Sequence, residues 1–215
     1  KTYACYRPDV GYVQGMSYLA ATLVFYLDEF NAFKCLANIL GRRMSFEFYQ
    51  LKNDMILQVT STFNFFFELH MPQLRGHFVA ESVASEVFLL DWIMTIFSKT
   101  FPVDIAARLW DVYLLEGEVF IMRASLGILK LHESSLRSMD AGEIIRFLKR
   151  PSAGSTCPNQ LLQLIGDISI SKDAYDTIMM RNRMPSLVKG MNQQGIMETS
   201  AESMRSGADI DSCDS

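Results

Sequence analysis

Apolar residues return at every third or fourth position along nearly the whole chain, a spacing that lines up one face of an α-helix. The segment 14–29 reads as a helix that is apolar on most sides and therefore buried. Asn31 is placed to cap a helix over 32–40, with Gly41 closing it in the left-handed conformation. A short amphipathic piece follows at 44–52, then a longer helix capped by Asp54 and running through Phe67, with Pro72 as its stop. The stretch 83–97 carries the strongest pattern, with Val83, Val87, Leu90, Met94 and Phe97 on one face and Leu89, Trp92 and Ile96 on another, as in a central helix. Pro102 suits the first turn of a helix over 103–115, which Gly117 breaks. Further helices are expected around 119–129, 140–149, 159–168 and 172–184, with a Ser/Gly/Pro loop at 151–158. Period-two alternation bounded by hairpin turns is lacking, and the helices share no fixed repeat. The expected fold is all-α: a single multi-helix domain over 1–185 and a disordered acidic, Ser-rich tail over 186–215.

Composition supports a packed body, since 49% of residues are apolar and 20% charged over 215 residues. The net charge of −4 belongs to the tail: from Glu198 onward stand five acids and one base, which leaves the preceding residues neutral. A neutral body with scattered bases argues against nucleic acid as the partner. The longest uncharged apolar run, Met16 to Leu27, is 12 residues. It would span about 18 Å as a helix, short of a ~30 Å hydrocarbon core, so no transmembrane segment is expected. Four well-separated cysteines and three histidines form neither a disulfide framework nor a metal-ligand pattern, and a reducing, cytoplasmic compartment is the expectation. The chain opens on Lys1 rather than Met, which we read as a chain cut at its front.

The sequence holds no P-loop, no GxSxG elbow and no close pair of carboxylates, so a stand-alone enzyme is poorly supported. One stretch stands apart: Arg7-Pro8-Asp9-Val10-Gly11-Tyr12-Val13-Gln14-Gly15-Met16. Two glycines bracket Tyr12 and Gln14 where a loop turns into a helix, and they let the backbone bend or a partner come close. The Gln14 amide both donates and accepts, so it is able to hold a water by one end and a partner's backbone by the other. On the residues alone, a helix start with glycines kept for packing is the preferred explanation, since Gln is a common surface residue.

Tyr12-Val13-Gln14-Gly15 resembles the YxQG motif of the TBC domain, the GTPase-activating domain for Rab-type small GTPases. Three more blocks follow in order: Leu90-Asp91-Trp92-Ile93-Met94-Thr95-Ile96-Phe97 is similar to the family's Trp-containing central helix, Phe101-Pro102 with Arg108-Leu109-Trp110-Asp111 to its Phe-Pro step and Arg-x-Trp-Asp helix, and Gly117 with Phe120 to its Gly-Phe corner. The resemblance covers about residues 3–150 well. It implies a mechanism in which the domain lends two residues to the bound GTPase. An Arg from an IxxDxxR motif neutralises charge on the transferred phosphoryl group, and the Gln of YxQG orients the attacking water. Gln14 takes the second role here, with Tyr12, Gly11 and Gly15 shaping its loop.

In the family IxxDxxR precedes YxQG, and nothing before Tyr12 matches it; Arg7 lacks the Ile and Asp. The resemblance therefore implies a TBC domain without its first helices, with no arginine finger in this chain and a second finger expected upstream. It predicts that the isolated chain bares a large apolar patch where those helices would pack. The expected partner is a Rab-family GTPase, which itself carries GTP and Mg, so no cofactor or metal is expected of this chain. The motif run looks most like members with endosomal or autophagic roles, which implies peripheral association with trafficking membranes. The alternative is a non-catalytic helical adaptor that binds a small GTPase. Trp92 and Trp110 read as core, as do most of Phe63, Phe65, Phe66 and Phe67, and Arg42-Arg43 and Arg181-Asn182-Arg183 as solvated faces.

Overall fold

The computed structural model describes residues 1–151 and 157–183, and every regular element among them is a helix. In order these are α1 (Thr2–Tyr6), α2 (Met16–Tyr26), α3 (Glu29–Gly41), α4 (Arg43–Tyr49), α5 (Asn53–His70), α6 (Pro72–Ala80), α7 (Glu86–Thr95), α8 (Val103–Glu116), α9 (Glu118–Leu131), α10 (Glu133–Leu136), α11 (Ala141–Lys149) and α12 (Pro158–Asp167). A last stretch, α13, covers 172–183. Most of the expected loop at 151–158 and the whole of the expected tail lie outside the described residues.

α7 is the hub, packed against α2, α4, α5, α9 and α11. An aromatic string runs through it: Phe63 and Phe67 of α5, Phe78 of α6, then Phe88 and Trp92 of α7, with successive ring centroids 4.9–6.2 Å apart. Trp92 is wholly buried, and its indole N–H donates to the Leu148 carbonyl of α11 at 3.3 Å. Trp110 is likewise core, and its indole N–H donates to the Ile96 carbonyl at 2.9 Å and to Ser98 Oγ at 3.0 Å. Of the Phe cluster only Phe65 is substantially exposed, with the Arg181 guanidinium over its ring.

α7 ends two residues earlier than its pattern predicts. Ile96 (φ 46°) and Phe97 (φ 63°) are both left-handed, and the Phe97 N–H closes back on the Trp92 carbonyl at 3.0 Å. A β-branched residue rarely accepts this conformation. Here both side chains are fully packed in the core.

α12 and α13 are integral to the body. α12 lies across α9, where Gly127 meets Ile165. α13 reaches α5, since Gln58 Nε2 donates to the Met179 carbonyl at 2.6 Å and Asn182 Nδ2 to Thr62 Oγ1 at 3.0 Å. Asn182 therefore belongs to the packing, in contrast to its reading as part of a solvated basic face.

Several expected boundaries shift for identifiable reasons. Asp28, not Asn31, caps α3: its carboxylate accepts the Phe30 and Asn31 N–H groups at 3.1 Å, and the Asn31 side chain only braces it. Gly41 stays helical instead of closing α3 in the left-handed region. Asp54 sits in the first turn of α5 rather than capping it. Pro72 both stops α5 and opens α6, because a first-turn position needs no N–H. Asp140 and Glu143 form a reciprocal capping box that starts α11.

α2 departs furthest from expectation. It starts at Met16 rather than Gln14, and only Met16, Leu19, Thr22 and Leu23 are buried. Its other side stays open: Phe25 is 68% exposed, and Tyr18, Val24, Tyr26 and Leu27 join Tyr6, Tyr12 and Phe30 as exposed large apolar residues. Large apolar side chains are thus exposed on α1, the loop at Tyr12, α2 and the start of α3. No helix among the described residues is long and apolar enough to cross a membrane.

Candidate functional site

The loop 7–15 is built from local contacts outward. Arg7 forms a two-pronged ion pair with Asp9, its Nε and Nη2 lying 2.8 and 2.6 Å from the two carboxylate oxygens. This guanidinium holds the Asp9 carboxyl below its usual range. Arg7 also lies 4.9 Å over the Phe46 ring of α4. Those contacts engage the guanidinium within the loop. Backbone bonds from the Val10 and Gly11 N–H groups to the Arg7 carbonyl, at 3.1 and 2.9 Å, close the first turn.

A second turn places Gln14. Its end is set by Gly15, the N-cap of α2, at φ 112° and ψ −35°, a conformation that side-chain-bearing residues rarely adopt. The Met16 N–H donates to the Val13 carbonyl at 3.2 Å, and the Tyr18 N–H to that of Gly15 at 3.0 Å. Gln14 therefore stands in the turn ahead of the helix, exposed, and makes no side-chain hydrogen bond among the described residues. Both its donor and its acceptor face solvent and are open to a partner or a water.

The two glycines do different work. Gly11 (φ 67°) has open space where a Cβ would stand, so it bends the chain. Gly15 is buried, and a Cβ there would lie 3.6 Å from Thr95 Cγ2, 3.6 Å from the Tyr49 hydroxyl and 3.8 Å from Met94 Cβ. The close approach at Gly15 is thus to the protein's own α7 and α4. Gly15→Ala is expected to cost about 1–3 kcal/mol, because the backbone and not the space is limiting. Gly11→Asn, at a position where Asn tolerates the left-handed region, is expected to cost under about 1 kcal/mol. Denaturant unfolding of the two variants checks this; equal losses would contradict it.

Tyr12, expected to brace the loop, is 64% exposed and lines an open groove of about 540 Å³ between α1, α2 and α3. The side chain that stands beside Gly15 is Tyr49, whose hydroxyl donates to the Met94 carbonyl and would lie 3.6 Å from a Cβ at Gly15. Sequence reasoning missed Tyr49, which sits far along the chain in a helix whose pattern shows only amphipathicity. On the far side of α2, Thr22 Oγ1 donates to Ser98 Oγ at 3.0 Å, tying α2 to the corner between α7 and α8.

This arrangement, an all-helical body presenting a glutamine on a glycine-set turn, has the fold of RabGAP domains. A Chlamydomonas flagellar RabGAP TBC domain superposes with a TM-score of 0.67 at 23% identity, covering 77% of this chain and 55% of that one. The Ypt/Rab-GAP domain of Gyp1p gives a TM-score of 0.65 at 20% identity, covering 77% and 61%. The family model of the Rab-GTPase-TBC domain matches residues 1–137, and the chain belongs to this family.

Among curated relatives, TBC1 domain family member 12 of Xenopus tropicalis is 45% identical over 148 residues, which is 69% of this chain and 22% of that protein. Human TBC1 domain family member 14 is 43% identical over the same length, 21% of that protein. Drainin of Dictyostelium discoideum is 32% identical over 177 residues, covering 82% of this chain and 40% of that protein. The chain thus spans about a fifth of the length of the first two relatives.

Proposed function

We propose that this chain is part of a GTPase-activating protein for Rab-family GTPases, and that Gln14 is the residue it lends to the reaction. The observation that carries the reading is the exposed, unbonded Gln14 amide on a turn fixed by Gly15, within the residues that match the family. A bound Rab supplies GTP and Mg. Gln14 then accepts a hydrogen bond from the attacking water through its Oε1, while its Nε2 donates to the partner. This holds the water in line with the γ-phosphate and stabilises charge as it develops. The complementary arginine is not supplied by the loop described here, where Arg7 is held by Asp9 and Phe46. Residues 1–215 alone are therefore expected to accelerate hydrolysis little or not at all.

Single-turnover GTP hydrolysis across a panel of Rab GTPases tests the reading, using both this chain and the longest form of the protein that carries it. Gln14→Ala in an active form is expected to abolish most of the acceleration while Rab binding persists. Binding without acceleration in every form, unchanged by Gln14→Ala, would instead identify a helical adaptor.

A further inference from the structure

We propose that Tyr49 is the positioning residue for Gln14: its hydroxyl, anchored on the last turn of α7, is the seat that holds Gly15 and so aims the glutamine. This deepens the reading of Gln14 given above and rests on it for its catalytic consequence.

Three observations support the assignment. First, α7 ends in the left-handed pair at Ile96 and Phe97, so the carbonyls of its last turn lack ordinary helical partners. Ser98 N–H bonds to the Thr95 carbonyl at 3.0 Å, and the Tyr49 hydroxyl takes the Met94 carbonyl. Second, Tyr49 is itself buried, and burial pushes its hydroxyl well above the usual phenol range, so it remains a donor. Third, the α-carbon of Gly15, the residue directly after Gln14, faces the same oxygen, which lies 3.6 Å from where a Cβ would stand.

α4 thereby touches the loop at both ends, through Phe46 under Arg7 and through Tyr49 beside Gly15. Gln14 has no side-chain bond of its own to fix it. Its direction is inherited from the backbone turn, and the turn is held by this seat. Loosening the seat should then disorder the amide without altering the surface that a GTPase meets.

The test is Tyr49→Phe, which keeps the ring and removes only the hydroxyl, with Ile144→Val in the buried face of α11 as a control for general loss of stability. In an active form of the protein, Tyr49→Phe is expected to lower the saturating single-turnover rate about tenfold, while the half-saturating concentration moves less than about twofold. Ile144→Val should change neither. Amide hydrogen exchange at Gly15 and Met16, measured on residues 1–215, should speed up in Tyr49→Phe and not in Ile144→Val.

A saturating rate unchanged by Tyr49→Phe, or one lowered equally by Ile144→Val, overturns the proposal. If Gln14→Ala leaves the rate intact, the reading of Gln14 fails instead. In that event exchange at Gly15 and Met16 alone decides whether Tyr49 seats the turn: faster exchange upholds the seat, and unchanged exchange overturns it.

Discussion

Trp92→Ala is expected to destabilise the protein by about 3–5 kcal/mol, the usual cost of emptying a fully buried aromatic site. Trp92 has no solvent exposure and sits between Phe88, 4.9 Å away, and Phe97, 5.9 Å away. Its removal opens a cavity at the α7 end of the aromatic string that joins α5, α6 and α7. It also leaves the Leu148 carbonyl at the end of α11 without its indole donor. Domains of this kind are stable by about 5–15 kcal/mol in all, so the variant would retain a small margin or none. Trp92→Phe restores most of the volume but not the donor, and should lose visibly less. Denaturant unfolding measures both. A loss under about 1 kcal/mol for Trp92→Ala would mean that the hub is not where the cooperativity lies.

Gly127→Ala should also be damaging, and for the opposite reason. A Cβ at Gly127 would stand 2.5 Å from Ile165 Cγ1 and 3.4 Å from the Ile165 backbone, so either Ile165 leaves its packed rotamer or α9 and α12 move apart. Overpacking of this kind costs about 1–3 kcal/mol. Ile165 is itself buried, so Ile165→Ala alone should cost about 2–5 kcal/mol. The two changes touch one contact and should not add. With the Cγ1 atom gone the new methyl has room, and the double variant should be more stable than the sum of the single losses predicts. Strict additivity in a double-mutant cycle would show that the helices do not cross as described.

Much of the fold was legible because a 3.6-residue period survives almost any tertiary context. α8 and α9 are where their apolar spacing places them. The differences arise where one residue serves two roles or where a distant contact decides. Pro72 reads as a stop, and its equal fitness as a start hides α6. Asp28 and Asn31 are both capping residues, and only the structure shows which one accepts the free N–H groups. The apolar surface of α2 was legible as apolar, but apolarity does not by itself say how many sides are covered.

At the site, Gln14 and its glycines were visible in the sequence because their chemistry is local. Tyr49 was not, because its role depends on how α4 crosses α7, a property of the packing that no spacing encodes. The left-handed pair at Ile96 and Phe97 was invisible for a related reason, since nothing about Ile or Phe announces that conformation.

That pair has a consequence for any attempt to improve the protein. The backbone at 96 and 97 asks for glycine, and the core asks for two large side chains. The strain amounts to about 1–3 kcal/mol per residue, whereas stripping a buried Ile or Phe forfeits about 2–5 kcal/mol. The sequence resolves this local frustration in favour of the interior and leaves the main chain in tension. A redesign that chose residues from backbone preference alone would relax the bend and hollow out the centre. The corner between α7 and α8 is therefore a place where the locally better residue is the globally worse one.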